Sequence, residues 1–260
     1  MGLGLFTASN IFWLLRLGVM MNYKAFRLRH LSRMEARGEH AKAQALTDAC
    51  TRQMSRYCME HFRVRVEVEG VENIPAEGPY LLLSNHQSMY DITAIVGYLP
   101  AGLGFLAKRE LFRLPGMAFF LRHMVSFPLD RGSAASARET MEQMADTLRK
   151  HKRGIVIFPE GTRTKDPDGA LGPFKAGSVR LATDAGFPIV PVALDGTRLL
   201  TSPRAFGKVA EERRVVRIRV FPPVKAEGLR GKERQAFVQA LHAQIQQGRE
   251  EIKVNWEAGE

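Results

Sequence analysis

His86 and Asp91, five residues apart in the run Asn85-His86-Gln87-Ser88-Met89-Tyr90-Asp91, are the pair in this sequence best placed to move a proton. An imidazole takes a proton from a hydroxyl when its other nitrogen is held in one tautomer by an acceptor, and a nearby carboxylate supplies that acceptor. The run follows the apolar stretch Tyr80 to Leu83, read as a buried strand, and precedes Ile92 to Leu99, read as the opening of a helix. A strand-to-helix junction is where open α/β sheets place their chemistry. The same letters also spell a helix start, Ser88-x-x-Asp91, in which the acid satisfies free backbone amides and His86 is an ordinary partly buried histidine. The heptapeptide leaves both readings open.

A second stretch bears on the choice. Ile155 to Phe158 is another short apolar strand, and it runs into Pro159-Glu160-Gly161-Thr162-Arg163-Thr164. If the two strands are neighbours, Glu160 and Arg163 stand at the same sheet edge as His86. A guanidinium offers a planar fork for phosphate or carboxylate, and glycine lets backbone come close to a ligand.

Four blocks then resemble the glycerolipid acyltransferase family typified by 1-acylglycerol-3-phosphate acyltransferases: NHQSMYD at 85–91, KRELFRLPG continuing to LDR across 108–131, FPEGTRT at 158–164 and IVPVAL at 189–194. They fall in the family's order over roughly residues 64 to 225. The resemblance implies that His86 is a general base oriented by Asp91. It also implies that Glu160, Gly161, Thr162 and Arg163 bind the acceptor, with Arg163 on its phosphate and Glu160 on a glycerol hydroxyl or organising the loop. Lys108 and Arg131 are implied as further anion contacts, and Lys175, at the start of a helix, is a candidate for the same phosphate. The implied reaction moves an acyl group from acyl-CoA or acyl carrier protein to the sn-2 hydroxyl of lysophosphatidic acid, giving phosphatidic acid, with no cofactor beyond that co-substrate and no metal. One departure stands out: a glycine is usual shortly before the final arginine of the second block, where this chain has Arg122, His123 and Met124. Another lysolipid acceptor, such as a lyso-amino-acid lipid, fits the same residues. So does a non-catalytic lipid-binding relative, although the intact His86 and Asp91 pair argues against it.

The formal charge of +11, from 38 basic and 27 acidic residues, asks for an anionic partner: nucleic acid, an acidic lipid surface or a phosphorylated substrate. Residues 1–66 carry eleven of the basic side chains against four acids, so the charge is concentrated in the most apolar part of the chain. That favours a membrane surface over nucleic acid, for which no binding module is evident. Cys50 and Cys58 lie eight apart on one expected helix, roughly 12 Å along its axis, too far for a disulfide, which suits a cytosolic setting. Neither has a CxxC partner, and the seven histidines form no HExxH or HxxxH pattern, so no metal site is expected.

The elements that must position these residues follow. Residues 3–21 are mostly apolar but interrupted by Thr7, Ser9, Asn10 and Arg16, a pattern suited to lying in the interface with Trp13 at headgroup level and Lys24, Arg27 and Arg29 on anionic lipid. A charged flank that follows the apolar run argues against a cleaved signal peptide, and Phe6 against myristoylation of Gly2. A second helix is expected to run to about Phe62, its face made by Leu46, Cys50, Met54, Tyr57, Cys58 and Phe62. Residues 1–62 thus read as an amphipathic two-helix hairpin that docks on the cytoplasmic side of the inner or cell membrane, or that caps the core. Residues 63–260 read as an α/β domain with a mixed, mostly parallel sheet flanked by helices. Its strands are expected at Val64 to Val68, at Leu103 to Ala107 delivering Lys108, at Val125 to Leu129 delivering Arg131, and at Val216 to Val220. Ser136 and Glu139 look like a capping box opening a helix that ends before Gly154, with Met141 and Met144 in the core. Pro191 places the strand Ile189 to Leu194 at an edge or a bulge.

Overall fold

The computed structural model describes residues 8–100, 102–129, 134–166, 168–201 and 209–254. Seven strands, β1 (Arg65–Glu69), β2 (Tyr80–Ser84), β3 (Leu103–Lys108), β4 (Phe127–Leu129), β5 (Gly154–Ile157), β6 (Ile189–Asp195) and β7 (Val215–Val220), form one sheet in the order β1-β7-β6-β2-β5-β3-β4. Every pairing is parallel except β6 with β7, so β1 and β7 run against the other five strands.

The central strands are apolar without interruption because both faces are covered. On β2, Leu82 packs with Met59, Ile95, Val156 and Val190 on one face, whereas Leu81 and Leu83 pack with Leu148, Ile155, Leu181 and Ile245 on the other. Period two, hidden in an all-apolar strand, still sorts the side chains. The edge strand β1 is half exposed and pairs its acids with basic residues directly opposite: Arg217 Nε to Glu67 Oε2 at 2.9 Å and Arg219 Nε to Glu69 Oε2 at 2.8 Å.

Helices α1 (Ala8–Arg27), the short α2 (Leu31–Ala36) and α3 (His40–His61) precede the sheet. Helix α3 is built into the first core through Cys58, Met59 and the following Phe62. It also satisfies the end of α4 (Tyr90–Tyr98): Arg56 Nε donates to Gly97 O at 2.8 Å and Arg52 Nη2 to Leu99 O at 2.7 Å. Its buried face includes Ala43, Thr47, Thr51, Met54, Ser55 and Cys58, and Leu46, expected on that face, is exposed. The error comes from ranking positions by apolarity, when Thr47 and Thr51 can be buried by donating to carbonyls one turn back. Helix α1 lies against α5 (Pro115–His123), where Gly116 allows the backbone at Asn22 to approach closely.

On the other face lie α6 (Ala134–His151), α7 (Arg180–Ala185) and α8 (Gly231–Glu251). Met144 is core and Met141 packs beside it, while the capping side chains expected at Ser136 and Glu139 lie outside the described side chains. The helix expected from Phe174 to Gly186 is a 3₁₀ turn over Ala176–Val179 followed by α7. Gly154 opens β5 where a Cβ would run into the Tyr80 ring.

Two backbone features depart from expectation. Strand β6 is interior, flanked by β2 and β7, not an edge. Pro191 is tolerated because β7 bulges away opposite it: Ile189 bridges Val224 and Val192 pairs with Val220, so three steps on β6 face four on the partner. Near the family's missing glycine, the chain still makes a left-handed turn, and it makes it at Val125 (φ 58°), a conformation that a β-branched residue rarely adopts.

Candidate active site

Parallel strands β2 and β5 are hydrogen-bonded neighbours, with Leu83 opposite Ile157, so the segments that follow them emerge side by side at one lip of the sheet. His86 leaves β2 there and Glu160 leaves β5. His86 Nδ1 lies 2.6 Å from Asp91 Oδ2, and Asp91 is fully buried in the first turn of α4. The same Oδ2 accepts from Gln87 N at 2.7 Å and Ser88 N at 2.9 Å, while Ser88 Oγ accepts from Tyr90 N at 3.0 Å. The capping contacts and the oriented ring therefore coexist: one carboxylate closes the helix start and holds the imidazole. Thr197 Oγ1 donates to the second oxygen, Oδ1. A carboxylate surrounded by donors is an acceptor for Nδ1–H, which leaves the lone pair of Nε2 as the one that can take a proton.

His86 is gripped by the neighbouring loop as well. Its backbone N–H donates to Glu160 Oε1 at 2.8 Å, its carbonyl accepts from Thr164 N at 2.8 Å, and its ring stacks on Phe158 with centroids 4.0 Å apart. Glu160 Oε2 accepts from Gly172 N at 2.8 Å. Both oxygens of this buried acid are thus spent on backbone amides, and Glu160 organises the loop. Burial pushes its carboxyl above the ordinary range, against the two amide bonds and the imidazole, which act to lower it.

Gly161 takes a left-handed conformation (φ 69°), and Lys175 folds over it, its Nζ and Cε occupying the space a Cβ would need. Lys175 N also donates to Pro159 O at 3.0 Å. Thr162, Arg163, Lys165 and Lys175 are exposed, so this loop and the segment after it offer three cations to solvent. Lys108 ends β3, exposed on the same lip but two strands away from β2. Arg131 lies outside the described residues.

Sequence reasoning missed the scaffold beneath the ring. Asn85 clasps Leu194 through two bonds, Nδ2 to Leu194 O and Leu194 N to Oδ1, each 2.8 Å, tying the ends of β2 and β6. Gln87 Nε2 donates to Asp195 Oδ1 at 2.6 Å, and Arg249 Nε, from the last turn of α8, donates to the same oxygen at 3.0 Å. Val254 N takes the other oxygen at 2.8 Å. Arg249 and Asp195 are both buried, and Arg249 Nη2 also donates to Asp168 O, binding the loop after Thr164 to the helix. Asp195 ends the buried strand β6 and Thr197 follows two residues later, close to the position already used to find His86, and both could have been found by the same rule. Nothing local in the sequence marks Arg249.

This fold and site define a class: α/β proteins that display a carboxylate-oriented imidazole at the carboxyl lip of a mostly parallel sheet, beside a loop carrying exposed cations. A family model described as Acyltransferase matches residues 65–195, half of the chain. The chain is 30% identical over 208 residues to a 1-acyl-sn-glycerol-3-phosphate acyltransferase of Saccharomyces cerevisiae, covering 80% of this chain and 66% of that one. It is 36% identical over 174 residues to the alpha form from Homo sapiens, covering 65% and 58%. The crystal structure of the 1-acyl-sn-glycerophosphate (LPA) acyltransferase from Thermotoga maritima superposes with a TM-score of 0.69 at 26% identity, over 94% of this chain and 98% of that one. The chain belongs to the acyltransferase family. It spans 66% of the yeast relative's length and 58% of the human relative's.

Proposed function

We propose that the protein transfers a fatty acyl group from an acyl thioester, acyl-CoA or acyl carrier protein, to the sn-2 hydroxyl of 1-acylglycerol-3-phosphate, giving phosphatidic acid. The observation that carries this is the 2.6 Å contact between His86 Nδ1 and Asp91 at a lip shared with the Glu160–Arg163 loop. Nε2 of His86 takes the acceptor's hydroxyl proton as its oxygen attacks the thioester carbonyl. Collapse of the tetrahedral adduct breaks the C–S bond, and the thiolate leaves with the proton from the imidazolium. Asp91 stabilises that cation while it exists, and a thioester is activated enough that no covalent enzyme intermediate is needed. Arg163 takes the phosphate of the acceptor, helped by Lys175 and by Lys108 further along the lip, with Arg131 added by the resemblance alone.

The acceptor and product are lipids, and the N-terminal helices suit a membrane surface on the cytoplasmic side. Leu15, Val19, Tyr23 and Phe26 are exposed along one stripe of α1, with Arg27 and Arg29 lying over the Tyr23 and Phe26 rings. Among the described residues no helix is long and apolar enough to cross a membrane. An apolar stripe edged by cations supports a helix lying in the interface.

The test is a panel of lyso-acceptors, lysophosphatidic acid, lyso-amino-acid lipids and other lysophospholipids, each offered with acyl-CoA and acyl-carrier donors. Transfer to lysophosphatidic acid at the highest kcat/KM is expected. Turnover confined to an acceptor without a phosphomonoester would overturn the acceptor, and no turnover with any pair would overturn the reaction.

A further inference from the structure

The departure at Arg122 and His123 opens onto a cavity that shares no lining residue with the His86 site. About 570 Å³ in volume, it lies between α2, α5 and the turn that follows β3, lined by Ser32, Glu35, Phe112, Arg113, Phe119 and Arg122 among others. That volume falls within the roughly 300–1,000 Å³ usual for small-ligand sites. Pro115, Ala118, Phe119 and Arg122 recur at the spacing of one helical face, so α5 turns a single mixed wall toward the cavity. At one end His123 Nδ1 lies 2.9 Å from Glu35 Oε1, and the His123 ring packs on Phe119 at 4.4 Å. Arg113 and Arg122 are exposed at the rim, and neither guanidinium has an acidic partner among the described residues. Leu114, next to Arg113, is exposed at 54%.

We infer that this cavity takes the headgroup of an anionic glycerophospholipid, separately from the acyl-transfer site. Two unpaired guanidiniums match a phosphodiester, which they can grip through charge-assisted bonds. Phe112, Phe119, Ala118 and Pro115 match the glycerol and upper acyl carbons. A membrane lipid is the source because a short stretch of chain joins the cavity to the helix with the apolar stripe: Phe26 is exposed near the end of α1, and Ser32 and Glu35 of the next helix line the cavity. The inference needs no acyl transfer, so it stands or falls apart from the reaction proposed above.

Water-soluble dihexanoyl phosphatidylglycerol, titrated below its micellar concentration into the full chain, is expected to bind saturably, and the Arg113→Gln/Arg122→Gln double variant to bind about tenfold more weakly or worse. Ser32→Trp, which plugs the cavity from its exposed side and keeps both arginines, is expected to weaken binding comparably. Lys225→Gln/Lys232→Gln, with the same loss of charge elsewhere, is expected to bind like the unaltered chain. In flotation with phosphatidylglycerol-containing vesicles the Arg113/Arg122 variant should lose preference over phosphatidylcholine vesicles, while the Lys225/Lys232 variant keeps it. Unsaturable binding, equal weakening in the charge-matched control, or an unaffected Ser32→Trp would overturn the site. Inorganic phosphate displacing the lipid at equal concentration would overturn the lipid as its occupant in favour of a free anion.

Discussion

Thr197 Oγ1 donates to Asp91 Oδ1, the carboxylate oxygen that His86 does not use. Thr197 touches no reacting atom; it fixes the rotation of the acid that fixes the ring. Thr197→Val keeps the shape of a fully buried side chain and removes the donor. A net hydrogen bond of about 1–2 kcal/mol converts to roughly a 5- to 30-fold fall in kcat, with KM for the acceptor little changed. Steady-state kinetics of the Val and Ser variants check this, since Thr197→Ser keeps the donor and should recover most of the rate.

His86→Ala should lower kcat by about 10²–10⁴, the usual worth of a positioned general base, and leave the melting transition cooperative. The proposed proton transfer uses Nε2 of the imidazole, while the backbone at 86 does the structural tying to Glu160 and Thr164, and alanine keeps that backbone. A purified, folded variant that retains near wild-type turnover would remove His86 as the base.

Glu160→Gln replaces one acceptor oxygen by an NH₂ group facing either His86 N or Gly172 N. Leaving one buried amide without an acceptor costs about 1–3 kcal/mol, read in urea titration, and loosens the loop so that kcat falls as well. A pH signature accompanies it. Burial raises the folded-state value above the ordinary 4.5, so between that value and the raised one the folded chain binds more protons than the unfolded chain. This contribution to stability is fully present below the ordinary value and is lost as pH rises through the raised one. The stability of Glu160→Gln should lack that fall across the same window.

Arg249→Met leaves Asp195 charged and buried with only Gln87 and a backbone amide to hold it. Breaking one side of a buried ion pair costs about 3–5 kcal/mol, and here the damage lands on the loop that carries His86. The variant should show both a lower urea midpoint and a lower kcat. Double replacement of Arg249 and Asp195 by apolar residues should recover more stability than activity.

Cys58 is buried on α3, and burial pushes its thiol up to about 12. Since only the thiolate is nucleophilic, Cys58 should resist iodoacetamide at neutral pH in the folded chain and react once the chain is unfolded, as mass spectrometry would read.

The sequence announced the lip of the sheet because its chemistry is local. His86 and Asp91 are separated by five residues, and each of β2 and β5 ends in a polar turn that a period-two or apolar-run reading detects. The reciprocal grip of Glu160 on the His86 amide was legible only as a possibility, since it joins positions 74 apart and depends on β2 and β5 being neighbours. Arg249 was invisible: an arginine in the last turn of a C-terminal helix reads as a solvated charge favourable to the helix end, and only the tertiary fold buries it against Asp195. Pro191 misled for a related reason. A missing N–H excludes a strand from the interior only if the partner stays in register, and Pro222 and Pro223 lie in the stretch of the neighbouring chain that bends away.

The bond from Arg249 to Asp195 sets an order of events during synthesis. A ribosome that has released Asn85 to Asp91 from its tunnel has made the imidazole and its acid; Asp195, under Gln87, comes later, and its guanidinium more than fifty residues later still. From the synthesis of Asp195 until that turn of α8 docks, the loop that carries His86 rests on an uncompensated charge, so its support is completed only after the proposed reactive residues are in place.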